Sequence, residues 1–173
     1  MAEPNPAESD RLVIRPMTID DFSDVFHIGE TIFTAEYSPS LYRTWDEYEI
    51  TTLFNSDSEL CLVAERGDVI VGFALGTTVD KHNSPWKYGY LVWLGVRQGL
   101  QKGGVGAGLF KEIKRRMRDQ GVRMIIIDTA ADNEAGIRFF EKQGFDNIQE
   151  HVYMTLNLSR RKRRAKRPGE KKP

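Results

Sequence analysis

Residues Tyr88 to Thr129 read YGYLVWLGVRQGLQKGGVGAGLFKEIKRRMRDQGVRMIIIDT, and the change of rhythm inside this stretch decides the fold. Tyr88 to Val96 is dense in aromatic and branched residues and reads as one long strand. From Gly103 to Gln120 the apolar positions Val105, Leu109, Ile113 and Met117 recur every four residues, the period of a helix face, and Gly121 is placed to end it. Met124 to Thr129 is an unbroken apolar run closed by Asp128 and Thr129, which predicts a buried strand. A strand, a helix and a strand in that order form a βαβ unit. The crossover through the helix makes its two strands parallel.

Outward from this unit the pattern changes. Toward the N-terminus, Leu60 to Glu65 and Val69 to Val79 flank the turn Gly67-Asp68 and predict an antiparallel hairpin. Pro85 and its polar neighbours predict a loop before the long strand. Leu12 to Ile14 predicts a short first strand ended at Pro16. Thr18 with Asp21, and Thr44 with Glu47, resemble helix capping boxes. Phe22, Val25, Phe26 and Phe33 follow the first, and Tyr48, Leu53 and Phe54 the second, so two amphipathic helices are expected within 18–55. Toward the C-terminus, Asn133 to Gln143 predicts a helix stopped by Gly144, and Phe145 to Leu158 predicts final strand material. The expected fold is α/β: a mixed central sheet, antiparallel in its N-terminal strands, with about four helices on its two faces.

Composition sets the bounds. A chain of 173 residues, 40% hydrophobic and 10% aromatic, holds one domain with a real core. The expected division is a disordered N-terminus at 1–10, a domain at 11–158 and a disordered basic tail at 159–173. No apolar run approaches the ~20 residues of a membrane span. The start MAEPNPAESD lacks the basic and apolar regions of a secretory signal, so a cytoplasmic protein is expected. Cys61 lies in the run LCLVA and reads as a buried thiol. His27, His82 and His151 are scattered and show no metal-ligand spacing, so no metal is expected. The formal net charge of zero conceals an asymmetry. The tail holds nine Lys or Arg against one Glu, which leaves 16 basic and 24 acidic residues in 1–158, a net of −8. Such a tail is suited to solubilising the chain or to contacting a polyanion.

The chemistry concentrates between Val96 and Leu109. Gly103, Gly104, Gly106 and Gly108 remove side chains where a backbone would approach a ligand. They lie at the start of a helix, whose first N–H groups are unpaired and whose dipole is positive there. Gln101 and Lys102 add a neutral donor and a positive charge. Two better-known phosphate loops fail. No glycine here is followed by Lys-Ser/Thr as a P-loop requires, and the dinucleotide fingerprint on Gly104 and Gly106 would need glycine where Leu109 stands. The stretch Gln101-Lys102-Gly103-Gly104-Val105-Gly106 instead resembles the pyrophosphate loop Gln/Arg-x-x-Gly-x-Gly/Ala of the GNAT superfamily of acetyltransferases. The run from Asn133 to Phe145, NEAGIRFFEKQGF, resembles that superfamily's Asn-x-x-Ala-x-x-Phe-Tyr-x-Lys-x-Gly-Phe helix. The two occur in the family's order, and the resemblance covers about residues 11–158.

The resemblance implies a GNAT fold in which the parallel strands around 88–96 and 123–129 splay apart to admit the pantetheine arm of acetyl-CoA, the co-substrate. It implies that the backbone of Leu94, Gly95 and Val96 pairs with that arm. A bulge near Leu94 would aim one N–H at the thioester oxygen. Gln101, Lys102, Gly103, Gly104, Val105, Gly106 and Ala107 would hold the pyrophosphate, and Asn133 would contact the cofactor arm. At Phe140, also beside the cofactor, many members carry a tyrosine that protonates the leaving thiolate, which phenylalanine cannot do. Gly136 stands where alanine is usual. Where the family often has a glutamate base, this chain has Tyr90. Asp128, five residues before Asn133, is the preferred base with Tyr90 as its partner. Some protein N-terminal acetyltransferases are similar, with tyrosine at the first position and histidine at the second. Equally open from the residues alone is Tyr90 as a core residue and Asp128 as the cap of a strand end.

Tyr37, Tyr42, Trp45, Trp86 and Tyr153 are candidates for the acceptor groove, and each is equally a candidate for the core. Only about 13 residues run from Phe145 to Leu158, short for the closing hairpin of N-terminal acetyltransferases, which implies a more open acceptor side. The expected acceptor is therefore an amine on a protein, an N-terminus or a lysine. A small amine such as a polyamine or amino acid is the alternative, and a non-catalytic acyl-CoA-binding module the third reading. A monomer or homodimer is expected.

Overall fold

The computed structural model describes residues 11–34, 44–80, 86–152, 154, 156 and 158. The N-terminal ten residues, the basic tail, Tyr37, Tyr42, His82, Pro85 and Tyr153 lie outside the described residues. Among those described, five strands form one sheet in the order β1-β2-β3-β4-β5. They are β1 (Leu12–Pro16), β2 (Cys61–Arg66), β3 (Val69–Asp80), β4 (Lys87–Val96) and β5 (Val122–Ile126). Pairs β1–β2, β2–β3 and β3–β4 are antiparallel and β4–β5 is parallel. The mixed sheet expected from the sequence is therefore present, with the crossover made by α3 (Val105–Asp119). Gly67 and Asp68 both have positive φ, +55° and +61°, which is the turn a tight β2–β3 hairpin needs.

Two hydrophobic layers cover the sheet. On one face α1 (Phe22–Ile32) and α2 (Glu47–Asp57) pack over Cys61, Val63, Phe73 and Leu75. On the other, α3 buries Val105, Leu109, Ile113 and Met117 against Leu62, Ala64, Ala74 and Leu91. These four helical residues are completely buried, the face that their four-residue repeat announces. Alternate residues of β2 thus serve opposite cores, as the two-residue pleat dictates.

Trp45 is core. Its ring stacks on Phe73 at 5.1 Å, meets Trp93 edge-on at 5.2 Å, and its indole N–H donates to the Phe26 carbonyl at 3.0 Å. Gly29 makes this possible, because a Cβ there would lie 2.0 Å from the Trp45 ring. Beneath α1, Arg15 holds the buried Asp21 with two parallel bonds of 2.7 and 2.8 Å and reaches Glu65 at 2.8 Å. Asp21 also accepts from the Thr18 backbone N–H at 2.8 Å, the capping box expected at this end.

Several expectations are corrected. The second helix is capped by Asp46, whose carboxylate accepts from the Glu49 N–H at 2.9 Å, and not by Thr44. Helix α3 begins at Val105, since Gly103 and Gly104 are spent on turns. Strand β5 stops at Ile126 and is not fully buried: Met124 is 45% and Ile126 42% exposed. The described residues of 145–158 form no strand. Val152, Met154, Leu156 and Leu158 do alternate as a strand would, yet they are 83–88% exposed. Tyr153, Thr155 and Asn157, which alternate with them, lie outside the described residues. Among the described residues, no helix is long and apolar enough to cross a membrane.

Candidate active site

The site begins where two strands part. The β4–β5 register runs from Lys87↔Val122 to Tyr90↔Ile126 and stops. Strand β4 continues to Val96, still paired with β3 through Gly72↔Val96. On the β5 side, Leu94, Gly95 and Val96 consequently have no neighbouring strand among the described residues. The result is a fork with its crotch at Tyr90 and one arm of open backbone.

A bulge sets which side chains face which way. Leu75 pairs with Trp93 and Gly76 with Leu91, so Val92 is the extra residue, two positions before the bulge expected near Leu94. Before it, Gly89 and Leu91 face α3, and a Cβ at Gly89 would meet the Met117 sulfur at 2.6 Å. Val92 and Trp93 both pack toward α1 and α2, and Leu94 and Val96 return to the α3 face. Tyr90, alternating with Gly89 and Leu91, therefore faces the α1/α2 side.

There its hydroxyl donates to the carboxylate of Asp128, just beyond the end of β5. The pair anticipated from the sequence is thus brought together at the crotch of the fork, Tyr90 half-buried and Asp128 exposed. A third polar group on this side has no sequence signature. Glu49, on the third residue of α2, accepts from the Trp93 indole N–H at 2.9 Å, beside the bulge. Its only local signal is an acid in the first turn of a helix; its proximity to β4 is a tertiary fact.

At the other end of the fork lies the glycine loop. Two turns carry β4 into α3, closed by Leu100 N–H to Arg97 O and Gly103 N–H to Leu100 O, both 3.1 Å. Gly99 and Gly104 take positive φ, +84° and +77°, which a side-chain-bearing residue rarely adopts. Gly104 is the helix N-cap and brings no side chain to it, and the first α3 N–H to find an intrahelical acceptor is that of Gly108, at 2.9 Å from Gly104 O. The N–H groups of Val105, Gly106 and Ala107 have no intrahelical acceptor. The dipole of this 15-residue helix is positive at that end, which suits an anion. Gln101, Lys102, Gly103 and Gly104 are exposed around them. The loop is tied down from behind. The Arg97 N–H donates to Val71 O at 2.9 Å, and the Gln98 amide reaches Thr31 O, on α1, at 3.1 Å.

Helix α4 (Glu134–Lys142) walls the α3 side of the fork. Phe139 comes within 3.6 Å of where a Gly106 Cβ would stand. Phe140 sits in a ring cluster with Phe139, Phe145 and Phe110, centroids 5.1 to 6.3 Å apart. Asn133 caps α4: its Oδ1 accepts from the Gly136 N–H at 3.1 Å while its Nδ2 donates to Thr129 Oγ1 at 2.9 Å. A Cβ at Gly136 would lie 2.5 Å from the Asn133 Nδ2, so a larger residue there would shift that amide. Of the aromatic groove candidates, Trp45 is in the core and Trp86 is 42% exposed. Cys61 is fully buried, and burial beside Asp57 pushes its thiol pKa up to about 12, so it is no nucleophile. Among the described residues no group of three potential ligands could hold a metal.

An open strand edge, three N–H groups without intrahelical partners at the start of α3 and a polar pair at the crotch lie on or next to β4. The chain belongs to the acetyltransferase (GNAT) family, whose model matches residues 22–145. It is similar to Acetyltransferase SG1711 of Sodalis glossinidius, 28% identical over 143 residues, which cover 82% of this chain and 91% of that protein. Human N-alpha-acetyltransferase 30 is 26% identical over 87 residues, half of this chain but 24% of that protein. Among solved structures, Ard1 from Thermoplasma volcanium superposes with a TM-score of 0.66 at 23% identity, covering 80% of this chain and 84% of Ard1. An aminoglycoside acetyltransferase from an uncultured soil metagenome reaches 0.66 at 18% identity, over 84% and 97% of the two chains. The NatC complex bound to Gag peptide and CoA reaches 0.65 at 18%, over 80% and 86%. At these identities the structural likenesses establish the fold.

Proposed function

We propose that this acetyltransferase moves the acetyl group of acetyl-CoA to a primary amine on a protein, an N-terminal α-amine or a lysine, by direct attack in a ternary complex. The observation that carries the reading is the end of the β4–β5 ladder at Tyr90↔Ile126, with the Tyr90–Asp128 pair at the point of separation. The residues present fit the co-substrate. Val105 to Ala107 offer N–H groups to its pyrophosphate, and Gln101 to Gly104 surround them without bulk. Leu94, Gly95 and Val96 offer strand edge to its amides, with one N–H near Leu94 polarising the thioester carbonyl. Phe139 and Phe140 give the arm an apolar wall, and Asn133 adds its amide beside it.

In the reaction the amine nitrogen forms a bond to the thioester carbonyl carbon, and the carbon–sulfur bond breaks. The amine proton passes to Asp128, directly or through water, with Tyr90 orienting the carboxylate. The leaving thiolate takes its proton from water, because Phe140 has none to give. A thiolate is a good enough leaving group for this to serve.

The protein acceptor is the reading consistent with the short stretch from Phe145 to Leu158, whose described residues form no strand. Two of the similar proteins are named for N-terminal acetylation or hold a peptide. The second reading, a small polycationic amine, is favoured by charge. Residues 17–64 hold ten acids and one Arg or Lys, and one fold neighbour is an aminoglycoside acetyltransferase. The single buried cysteine fits a cytoplasmic enzyme.

Thiol release and mass spectrometry with acetyl-CoA, a pool of free-N-terminus and lysine peptides, and a panel of polyamines, amino acids and aminoglycosides test the reading. Acetylated peptides at rates above every small amine are the expected outcome. Preference for a polyamine or aminoglycoside would overturn the protein assignment. Tight acetyl-CoA binding with no acceptor turned over would reduce the chain to an acyl-CoA-binding module.

A further inference from the structure

Glu49 is a half-buried carboxylate beside the fork, with no part in the proton transfer assigned to Asp128. It is the third residue of α2, and its backbone N–H is held by the Asp46 carboxylate at 2.9 Å, so the helix start that carries it is fixed. Its Oε2 accepts from the Trp93 indole N–H at 2.9 Å, across 44 residues of chain. An indole N–H only donates, and Trp93 is 8% exposed, so this donor needs an acceptor inside the protein. Glu49 meets that need.

The bond falls where the ladder determines β4 least. Val92 is the inserted residue of the bulge, and a bulge locally disrupts the pairing on either side of it. Val92 and Trp93 both turn toward α1 and α2, and Leu94 returns to the α3 face. With the ladder interrupted, side-chain contacts set how the backbone turns between these residues. The Trp93 ring packs against Phe33 and Trp45, with centroids at 4.6 and 5.2 Å. Such ring contacts are non-directional enough to let the indole tilt or slide. The bond to Glu49 is directional and fixes it. The next residue along the strand is Leu94, at the edge that faces the opening of the fork.

We propose that Glu49 is a positioning residue: by holding the Trp93 indole it sets the bulge, and through it the direction of the backbone N–H near Leu94 that meets the thioester oxygen. The inference rests on the donor reading given above, in which this strand edge takes the acetyl-CoA arm. The role needs an acceptor and not a charge, which separates it from a base or a site for the ammonium group of the acceptor.

Steady-state acetyl transfer to the best acceptor, run well below the unfolding temperature of every variant, tests this. Glu49→Gln keeps an oxygen for the indole N–H and should stay within about twofold of the wild-type kcat. Glu49→Leu removes the acceptor, and kcat should fall about tenfold, less than when an oxyanion donor is deleted outright. The KM for acetyl-CoA should stay within about twofold, because the start of α3 is untouched. A purely structural role would lower stability and leave kcat alone. In a Trp93→Phe background, which keeps a ring but has no N–H, the same Glu49→Leu change should cost less than about twofold. Should Glu49→Leu not fold, Glu49→Ala takes its place with the same expectations.

Heteronuclear NMR of the chain without ligand needs no turnover. The amide signals of Val92 to Leu94 should move in Glu49→Leu and stay close to wild type in Glu49→Gln. Equal kcat losses in Glu49→Gln and Glu49→Leu would overturn the proposal in favour of a role for the charge. So would wild-type kcat in Glu49→Leu, an undiminished loss in the Trp93→Phe background, or amide signals that do not move. Any of these with normal wild-type turnover sinks the positioning role alone, whereas a wild type that neither binds nor turns over acetyl-CoA sinks the donor reading beneath it.

Discussion

Asp128→Asn tests both the base and the acceptor. The amide keeps an oxygen for the Tyr90 hydroxyl but cannot take a proton from the attacking amine. Because Asp128 is exposed, water competes as the proton acceptor. The loss should therefore sit at the low end of the range for general bases, about 10²-fold in kcat/KM at pH 7, or about 2.7 kcal/mol. Once the base is gone, only the fraction of acceptor already neutral reacts, and its pKa becomes visible. An α-amine with pKa near 8 is about 10% neutral at pH 7 and about 90% at pH 9, so raising the pH should restore about ninefold. A lysine amine with pKa near 10.4 goes from about 0.04% to about 4% over the same interval, a recovery of about 100-fold. The assay is thiol release against pH with the best peptide found, for wild type and variant side by side. Wild-type activity for the variant at pH 7, or a pH profile parallel to wild type, would refute the assignment of Asp128.

The remaining predictions concern the scaffold of the site. Gly104→Ala meets no atom within 4 Å but must hold φ near +77°, a cost of about 1–2 kcal/mol. The exposed turn should relax instead, weakening acetyl-CoA binding about tenfold in calorimetry; an unchanged affinity would remove the loop from the donor site. Gly29→Ala sets a gain in helix propensity of about 1 kcal/mol against a Cβ placed 2.0 Å from the Trp45 ring. Overpacking should win, with a net loss of about 2 kcal/mol in urea unfolding, and a more stable variant would contradict the packing described. Asp21→Asn removes the charge held bidentately by Arg15 and should cost about 2 kcal/mol at pH 7. The hydrogen-bonded guanidinium holds the Asp21 pKa below its ordinary value. Its contribution is therefore complete above about pH 4 and is lost as pH falls through the lowered folded-state pKa. The gap between wild type and variant should narrow only in strong acid, as denaturation curves at pH 7 and pH 3 would show.

What could be read in advance follows the range over which each feature is determined. The buried stripe of α3 is a matter of neighbours four residues apart, and Val105, Leu109, Ile113 and Met117 announce it. So do Gly67-Asp68, which make a hairpin turn with no help from the rest of the chain. Tyr90 and Asp128, 38 residues apart, stand out only by their positions against a family pattern, and the parallel register brings them into contact. Trp45 was ambiguous for a physical reason. An aromatic beside a capping residue suits a groove or a core, and the choice is made by the missing Cβ of Gly29, sixteen residues away on α1.

The bulge shows where local reading ends. Nothing in Leu91-Val92-Trp93 distinguishes a bulged strand from a regular one, since all three residues suit either face of a sheet. The extra residue is dictated by the partner strand. Gly76 must present no side chain where Met117 and Ile113 approach to 2.8 and 2.9 Å, while Leu75 one residue earlier belongs to the opposite core. Val92 and Trp93 must both reach the α1/α2 core before Leu94 returns to the α3 side, and only an inserted residue reconciles these demands. The consequence is functional. Without the inserted residue, the alternation that puts Tyr90 toward α1 and α2 would carry Leu94 and Val96 to that same side, away from Phe139 and Phe140. The polar pair would then face an apolar stretch of its own strand across the opening of the fork. With it, Tyr90 faces the α1/α2 side of the sheet while Leu94 and Val96 share the other side with Phe139 and Phe140. On the proposed reading, the amine and the thioester would approach the same backbone edge from opposite sides.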